Sequence, residues 1–456
     1  MMSSIVIRDK SFYKNMFSIA IPVTLQNLIT SSLNMVDTIM IGALGSKAIA
    51  AVGISNQYFF LFMLFIYGLS SGGNVFIAQF WGKRDVENIR KVMGVILITG
   101  SILSLLFGSI AVLFPASITK VFLKDPAVIQ LAEDYLRIVG LSYMITTISY
   151  AYGFALRGIG QAKLPMIISA IALCVNTGLN YVLIFGKFGL PALGVRGAAY
   201  ATFIARLLEM GLMLWILYKG KSIIAGSIRE MLGFSKGFLY RFFTVTTPVI
   251  LHEGLWAGGM TMYLIAYGKM GTEALAAAQI TTHTVKELFQ VVGLGIGSAC
   301  AVMVGNKIGE EKENTAVEYA KTFSIFAILS GVVLGIALYF LSPMISKMFD
   351  VSEATRQSIH NILIVISIFM AVNMYSLVLI IGVLRGGGDT KFSLYLEFSC
   401  VWFVGVPLAF IGVLLLKLPI YWVVALVSIE EVVKSIIGYF RIRTGKWIRN
   451  VVQDMN

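Results

Sequence analysis

Long apolar runs alternate with short polar breaks along this chain, and the runs have the length of membrane crossings. Residues 92–114 (VMGVILITGSILSLLFGSIAVLF) and 322–341 (TFSIFAILSGVVLGIALYFL) contain no charged side chain. An α-helix needs about twenty apolar residues to span ~30 Å of hydrocarbon. Gly, Pro and charged breaks divide the sequence into twelve such spans: 14–41, 50–79, 90–114, 131–157, 164–186, 193–218, 240–268, 275–304, 317–341, 357–383, 393–414 and 419–441. The expected fold is an all-α integral membrane protein with twelve transmembrane helices.

Composition agrees with the pattern. Of 456 residues, 58% are hydrophobic and 13% charged, where a soluble domain carries roughly 25% charged. The net charge of +13 is spread singly through short loops, with no arginine-rich patch or aromatic groove for nucleic acid. Twenty-three Lys and Arg residues fall in segments on the side of the N-terminus and nine on the other. The positive-inside rule then places both termini in the cytoplasm. Cys174, Cys300 and Cys400 lie far apart in predicted helices, which supports neither a disulfide framework nor a metal site. The N-terminus has no short apolar run ending in a small-residue cleavage site, so no removable signal peptide is expected.

The second half repeats the first. GSKAIAAVGI (45–54) aligns with GTEALAAAQI (271–280) at an offset of 226. ALRGIGQAK (155–163) aligns with VLRGGGDTK (383–391) at 228, and IPVTLQN (21–27) lines up with TPVILHE (247–253). Each repeat holds six spans, an even number, so both insert the same way up. A pseudo-twofold axis along the membrane normal and a shared cavity between the halves follow, as in transporters. The expected division is an N-lobe of helices 1–6 (1–218), a basic interlobe linker (219–239), and a C-lobe of helices 7–12 with the tail (240–456).

Several motifs in this order resemble the multidrug and toxic compound extrusion (MATE) family. They are NMVDTIMIGALG in helix 1, AQFWGKRD after helix 2, ALRGIGQAK after helix 4, NTGLNYVLIFGKFGLPALGVRGAA across helices 5 and 6, and VLRGGGDTK after helix 10. The resemblance covers nearly the whole chain. It implies two six-helix lobes around a central cleft, working as a monomer in the plasma membrane. It also implies export of bulky, mostly cationic organic compounds in exchange for Na⁺ or H⁺.

Asp37 is the only ionisable residue between Lys14 and Lys47. It lies eight residues before Gly45, roughly 12 Å deep at 1.5 Å per residue. An ionised Asp near a bilayer centre costs about 2.5–3.5 kcal/mol on insertion scales, so such a group points to function. The resemblance assigns this position to an N-lobe cation or proton site. Pro22, fifteen residues earlier in the same helix, removes a backbone hydrogen bond and is a candidate hinge. Asn176 and Asn180 share one face of helix 5. In the DinF-like branch of the family the second is an Asp; an amide offers oxygen to a cation but exchanges no proton at ordinary pH.

Glu253 lies near mid-bilayer in helix 7 and matches a NorM-like cation-binding Glu. The helix 10 Asp that partners it there is absent, and this chain has Asn373 and Met374 in that region. Adjacent His252 is either a proton relay or a bonded core imidazole. No tight metal site is expected; the most the sequence offers is a transient Na⁺ at Glu253 or Asp37. His283, Lys286, Glu287 and Gln290 share a face of helix 8 expected to line the cleft, with Lys286 paired to Glu287 or Glu253. Gln57 holds the place of His283 in the first repeat. Trp256 and Tyr263 are the aromatics expected to meet substrate. Glu430 and Glu431 precede Lys434 as ion-pair partners or substrate contacts, while Arg206 and Lys434 are read as structural. The 21 Met and 30 Phe suit an adaptable drug surface or ordinary packing against lipid and neighbouring helices.

VLRGGGDTK lacks the GxxxxGK[ST] phosphate-loop pattern and follows a helix, not a strand. No ATPase module or catalytic triad is discernible. An enzyme is therefore not expected, nor catalytic residues, ATP or any cofactor beyond the coupling ion Na⁺ or H⁺. The competing functions are a lipid or oligosaccharide flippase of the same superfamily, another twelve-helix carrier, and a channel.

Overall fold

A computed structural model describes residues 7, 9–122, 124–453 and 455. Arg8, which enters the positive-inside count, lies outside the described residues. The helices are α1 (Lys10–Gly42), α2 (Ser46–Lys83), α3 (Val86–Leu113), α4 (Pro115–Phe122), α5 (Pro126–Gly140), α6 (Tyr143–Gly158), α7 (Lys163–Phe185), α8 (Val195–Lys219), α9 (Ile228–Met231) and α10 (Lys236–Gly268). They continue with α11 (Thr272–Gly309), α12 (Glu313–Lys347), α13 (Glu353–Arg385), α14 (Thr390–Leu415) and α15 (Ile420–Arg443). No strand forms among the described residues; Gly388 and Ile448 make an isolated antiparallel bridge.

Among the described residues, nine helices are long and apolar enough to cross a membrane, and α5 with α6 makes a tenth crossing bent by 50°. The two further long helices, α10 and α15, complete the twelve. Their polar content sets them apart: His252 and Glu253 in α10, and Glu430, Glu431 and Lys434 in α15. The chain is thus a twelve-helix, multi-pass membrane protein. The single span expected over 131–157 is broken because Ser142 turns tightly onto Val139, with both its amide and its hydroxyl donating to that carbonyl.

Helix ends follow local chemistry. Asp85 caps α3 by accepting from the Asn88 amide, and Asp125 caps α5 ahead of Pro126. Backbone at φ 66° lets Gly186 close α7 in the left-handed region. Among the described residues, four π-helical turns interrupt the regular helices: Gln279–Val285 in α11, Val378–Arg385 in α13, and Val401–Gly405 and Ile411–Leu415 in α14. Such turns shift the register of side chains along a helix and recur at functional positions.

The chain forms two compact units. One comprises Leu25–Ile77, Arg84–Phe242 and Met455. Its core stacks Phe62 on Tyr143 at 4.6 Å between ring centroids, with Ile66, Leu136 and Ile184 around them. Small residues let α3 approach α6 closely, so that Ser104 and Thr147 share a hydroxyl hydrogen bond of 2.6 Å. Residues 219–239 pack here too, with Arg90 donating to Glu230 and to the Ile223 carbonyl.

The other unit holds the described residues up to Thr24, Ala78–Lys83 and 243–453. Its core includes Leu338, Leu363, Met370, Val401 and Val423. The first half of α1 joins it through Phe12, edge-on to Tyr319 and Phe323. The tail is stitched in as well. Trp447 is fully buried, Arg449 N–H donates to the Gly387 carbonyl, and the Asp389 carboxylate meets Arg441 at 2.7 Å and Arg449 at 3.0 Å.

Candidate functional site

In the first unit, Asp37 of α1 accepts from Asn180 Nδ2 at 2.8 Å, and the same amide nitrogen lies 3.5 Å from Asn176 Oδ1. Both asparagines are buried. One helical turn on α7 therefore aims two amides at one acid, as i, i+4 spacing dictates. A second polar chain runs through the same unit. Arg157 Nη2 donates to Gln26 Oε1 at 2.7 Å, Gln26 Nε2 to Ser169 Oγ at 2.9 Å, and Ser169 Oγ to Glu209 Oε1 at 2.7 Å. Arg206 Nη1 closes the run on Glu209 Oε2 at 3.0 Å.

The second unit contains a matching chain with different chemistry. Arg385 Nη2 donates to Glu253 Oε1 at 2.7 Å and to His252 Nδ1 at 2.7 Å. On the far side of the ring, His252 Nε2 lies 3.6 Å from Glu397 Oε2. Lys434 Nζ then meets Glu397 at 3.1 Å, Glu431 at 3.5 Å and Glu430 at 4.0 Å. Tyr263 donates its hydroxyl to Glu430 Oε2. Arg385, Glu397, Glu430 and Lys434 are each at most 4% exposed.

Four members of the two chains correspond, while Glu209 stands opposite Ile437 and Glu253 opposite Asn27. Gln26 and His252 stand at an offset of 226; Arg157 and Arg385, Ser169 and Glu397, and Arg206 and Lys434 each stand at 228. The charges differ. In the first unit Asp37 and Glu209 balance Arg157 and Arg206. In the second, four carboxylates (Glu253, Glu397, Glu430 and Glu431) face two permanent cations, Arg385 and Lys434, with the His252 imidazole among them. Buried charge persists only when paired and hydrogen-bonded, and the second unit has two more carboxylates than permanent cations where the first has equal numbers.

Several expectations need correction. Arg157 and Arg385 are not loop charges: each turns inward, onto Gln26 and onto Glu253. Lys286 is paired with neither expected acid, because Glu287 lies 3.5 Å from His283 Nδ1 and Glu253 is held by Arg385. Asn373 accepts from Gln290 at 2.6 Å. Tyr263 is buried in the unit's core beside Glu430, whereas Gln57 is exposed and Trp256 and His283 are half-buried. Pro22 lies buried inside α1, which runs through it without a break. No grouping of three or more His, Cys, Asp and Glu able to hold a metal ion occurs among the described residues.

Glu209, Glu397 and the inward role of Arg385 escape the sequence reading. The first two were findable, since each is an acid inside an apolar span, the same signal that marks Asp37.

Twelve helices, two repeats and an acid–base chain buried in each define a membrane transporter. The MatE family profile matches residues 22–182 and 248–411, and the chain belongs to this family, the MATE efflux transporters. Among curated relatives, the "Probable multidrug resistance protein NorM" of Thermotoga maritima is 25% identical, covering 96% of this chain and 94% of that protein. The "Uncharacterized transporter YisQ" of Bacillus subtilis is 24% identical over 97% and 96%. The fold matches a crystal structure of MATE in complex with MaL6, with a TM-score of 0.87 at 21% identity, covering 95% of this chain and 97% of that one.

Proposed function

We propose that this protein is a secondary active antiporter that exports bulky, mostly cationic organic compounds in exchange for a monovalent cation. The observation that carries the proposal is the unequal pair of buried chains: matched scaffolds, one charge-balanced and one with excess acid. An antiporter needs a group whose charge changes between states, so that ion and substrate each favour a different one. Asp37 with Asn180 supplies an acid of this kind in the first repeat, and Glu253 with Glu397 and Glu430 in the second. Of the two ions, H⁺ fits the second repeat better than Na⁺, because the Arg385 guanidinium already occupies the place a cation would take at Glu253.

The names of the relatives support a drug-like substrate class. Helices 1–6 and 7–12 act as two lobes joined by residues 219–239, in the plasma membrane with both termini cytoplasmic and one chain per working unit. Alternating access of a site between repeats fits this organisation. The test is ethidium transport by purified protein in liposomes with the membrane potential clamped. Uphill movement under an imposed cation gradient supports antiport; movement only down the ethidium gradient means a channel or uniporter.

A further inference from the structure

We propose that His252 accepts the coupling proton of the second repeat, and that a proton on its Nδ1 takes Glu253 away from Arg385. This inference rests on the antiport reading and names the group that does the work.

A guanidinium has donors only. Arg385 Nη2 lies 2.7 Å from His252 Nδ1, so Nδ1 must be bare in this state. The neutral ring therefore carries its proton on Nε2, which points at Glu397 Oε2 from 3.6 Å. Nδ1 is also 3.6 Å from Glu253 Oε1, the oxygen that Arg385 holds at 2.7 Å. One Arg385 nitrogen thus serves two acceptors side by side.

Adding a proton to Nδ1 sets one N–H against another at hydrogen-bond distance, and the two cannot coexist there. Arg385 withdraws. The new Nδ1–H has Glu253 Oε1 as its acceptor, and the cationic ring gains the attraction of Glu397, whose Oε2 lies 3.6 Å from Nε2. The proton comes from hydronium on the acidic side, which leaves water, and no other covalent bond changes. The charged groups facing the ring favour this exchange: Glu253 on α10, Glu397 on α14 with Lys434 of α15 behind it, and Arg385 on α13 as the group displaced. Arg385 is the last residue of the π turn Val378–Arg385, a place where a helix can change register. The first repeat cannot do this. Its Gln26 makes the same contact to Arg157 with an amide oxygen that does not titrate.

Isotope-labelled histidine gives three imidazole signals, from His252, His283 and His360, and His252→Gln identifies the first by its loss. The full chain in lipid nanodiscs is followed by nitrogen NMR from about pH 8.5 to about pH 5, the range over which imidazoles titrate. The expected result is a neutral Nε2–H tautomer at the alkaline end that becomes imidazolium on acidification. An Nδ1–H tautomer, or a ring that stays neutral throughout, overturns the proposal.

His252→Gln copies the Gln26 contact and should fold, melting in detergent as wild type does before it is placed in liposomes. It should lose pH-driven ethidium accumulation by about tenfold or more; retained accumulation overturns the proposal. If wild type moves no ethidium uphill while the ring still titrates as described, the antiport reading falls and the proton site stands.

Discussion

Gln26 and His252 occupy the same place in the two repeats, and each accepts a 2.7 Å hydrogen bond from the arginine of its own LRG motif, Arg157 or Arg385. The contact is preserved while its chemistry is not. An amide oxygen stays an acceptor at every pH, whereas an imidazole nitrogen stops being one when it binds a proton. The duplication has kept the scaffold and made one copy sensitive to protons.

The ion pair between Glu253 and Arg385 makes a prediction about stability. Glu253→Gln or Arg385→Met alone leaves a buried charge without its partner, which costs about 3–5 kcal/mol. The double variant should regain more than half of that loss without regaining coupled transport. Thermal unfolding of the three variants in detergent checks this; additive losses in the double variant would mean the two side chains are not coupled.

Asp37→Asn keeps the size of the side chain and an acceptor for Asn180 Nδ2. Coupled ethidium export should fall by about tenfold or more if the charge is what matters. The melting temperature should not fall, since removing a carboxylate from a membrane helix removes a desolvation cost. Transport and melting measured on one preparation separate the two effects.

Tyr263→Phe deletes the donor to Glu430 and leaves the ring in place. A buried acceptor left unsatisfied costs about 1–3 kcal/mol. The variant should melt earlier and couple less well, while its relative preference among several cationic dyes stays as in wild type. A changed order of preference in a competition assay would return Tyr263 to the substrate cleft.

The tail offers a prediction outside the spans. Trp447 is fully buried against the Gly387 backbone, and truncating a buried Trp to Ala costs about 3–5 kcal/mol. Trp447→Ala should lower the melting temperature and free residues 446–453 for proteolysis. Unchanged protection of the tail would contradict the packing described.

Much of this is legible in the sequence. Charge-free runs mark the crossings because a bilayer admits little else, and the offset between the repeats is enough to set Gln26 opposite His252. Asp37 and Asn180 stand out by their cost in a membrane, and the fold brings them to 2.8 Å. The rest depends on direction. Arg385 sits in a motif that looks like a basic turn, and only the path of α13 shows it reaching Glu253. Tyr263 looks like a drug-facing aromatic until its hydroxyl is found on Glu430, 167 residues away. The π turns leave no trace in the pattern either, because hydrophobic spacing does not distinguish them from ordinary helix.

The central claim is that buried acids couple substrate export to a cation. Purified protein in liposomes, given ethidium and a pH gradient alone and then a Na⁺ gradient alone, tests it most directly. The account predicts ethidium accumulation in the more acidic compartment under the pH gradient, and its loss in the Asp37→Asn/Glu253→Gln double variant. Accumulation of the same size in the double variant, or none in wild type under either gradient, contradicts it.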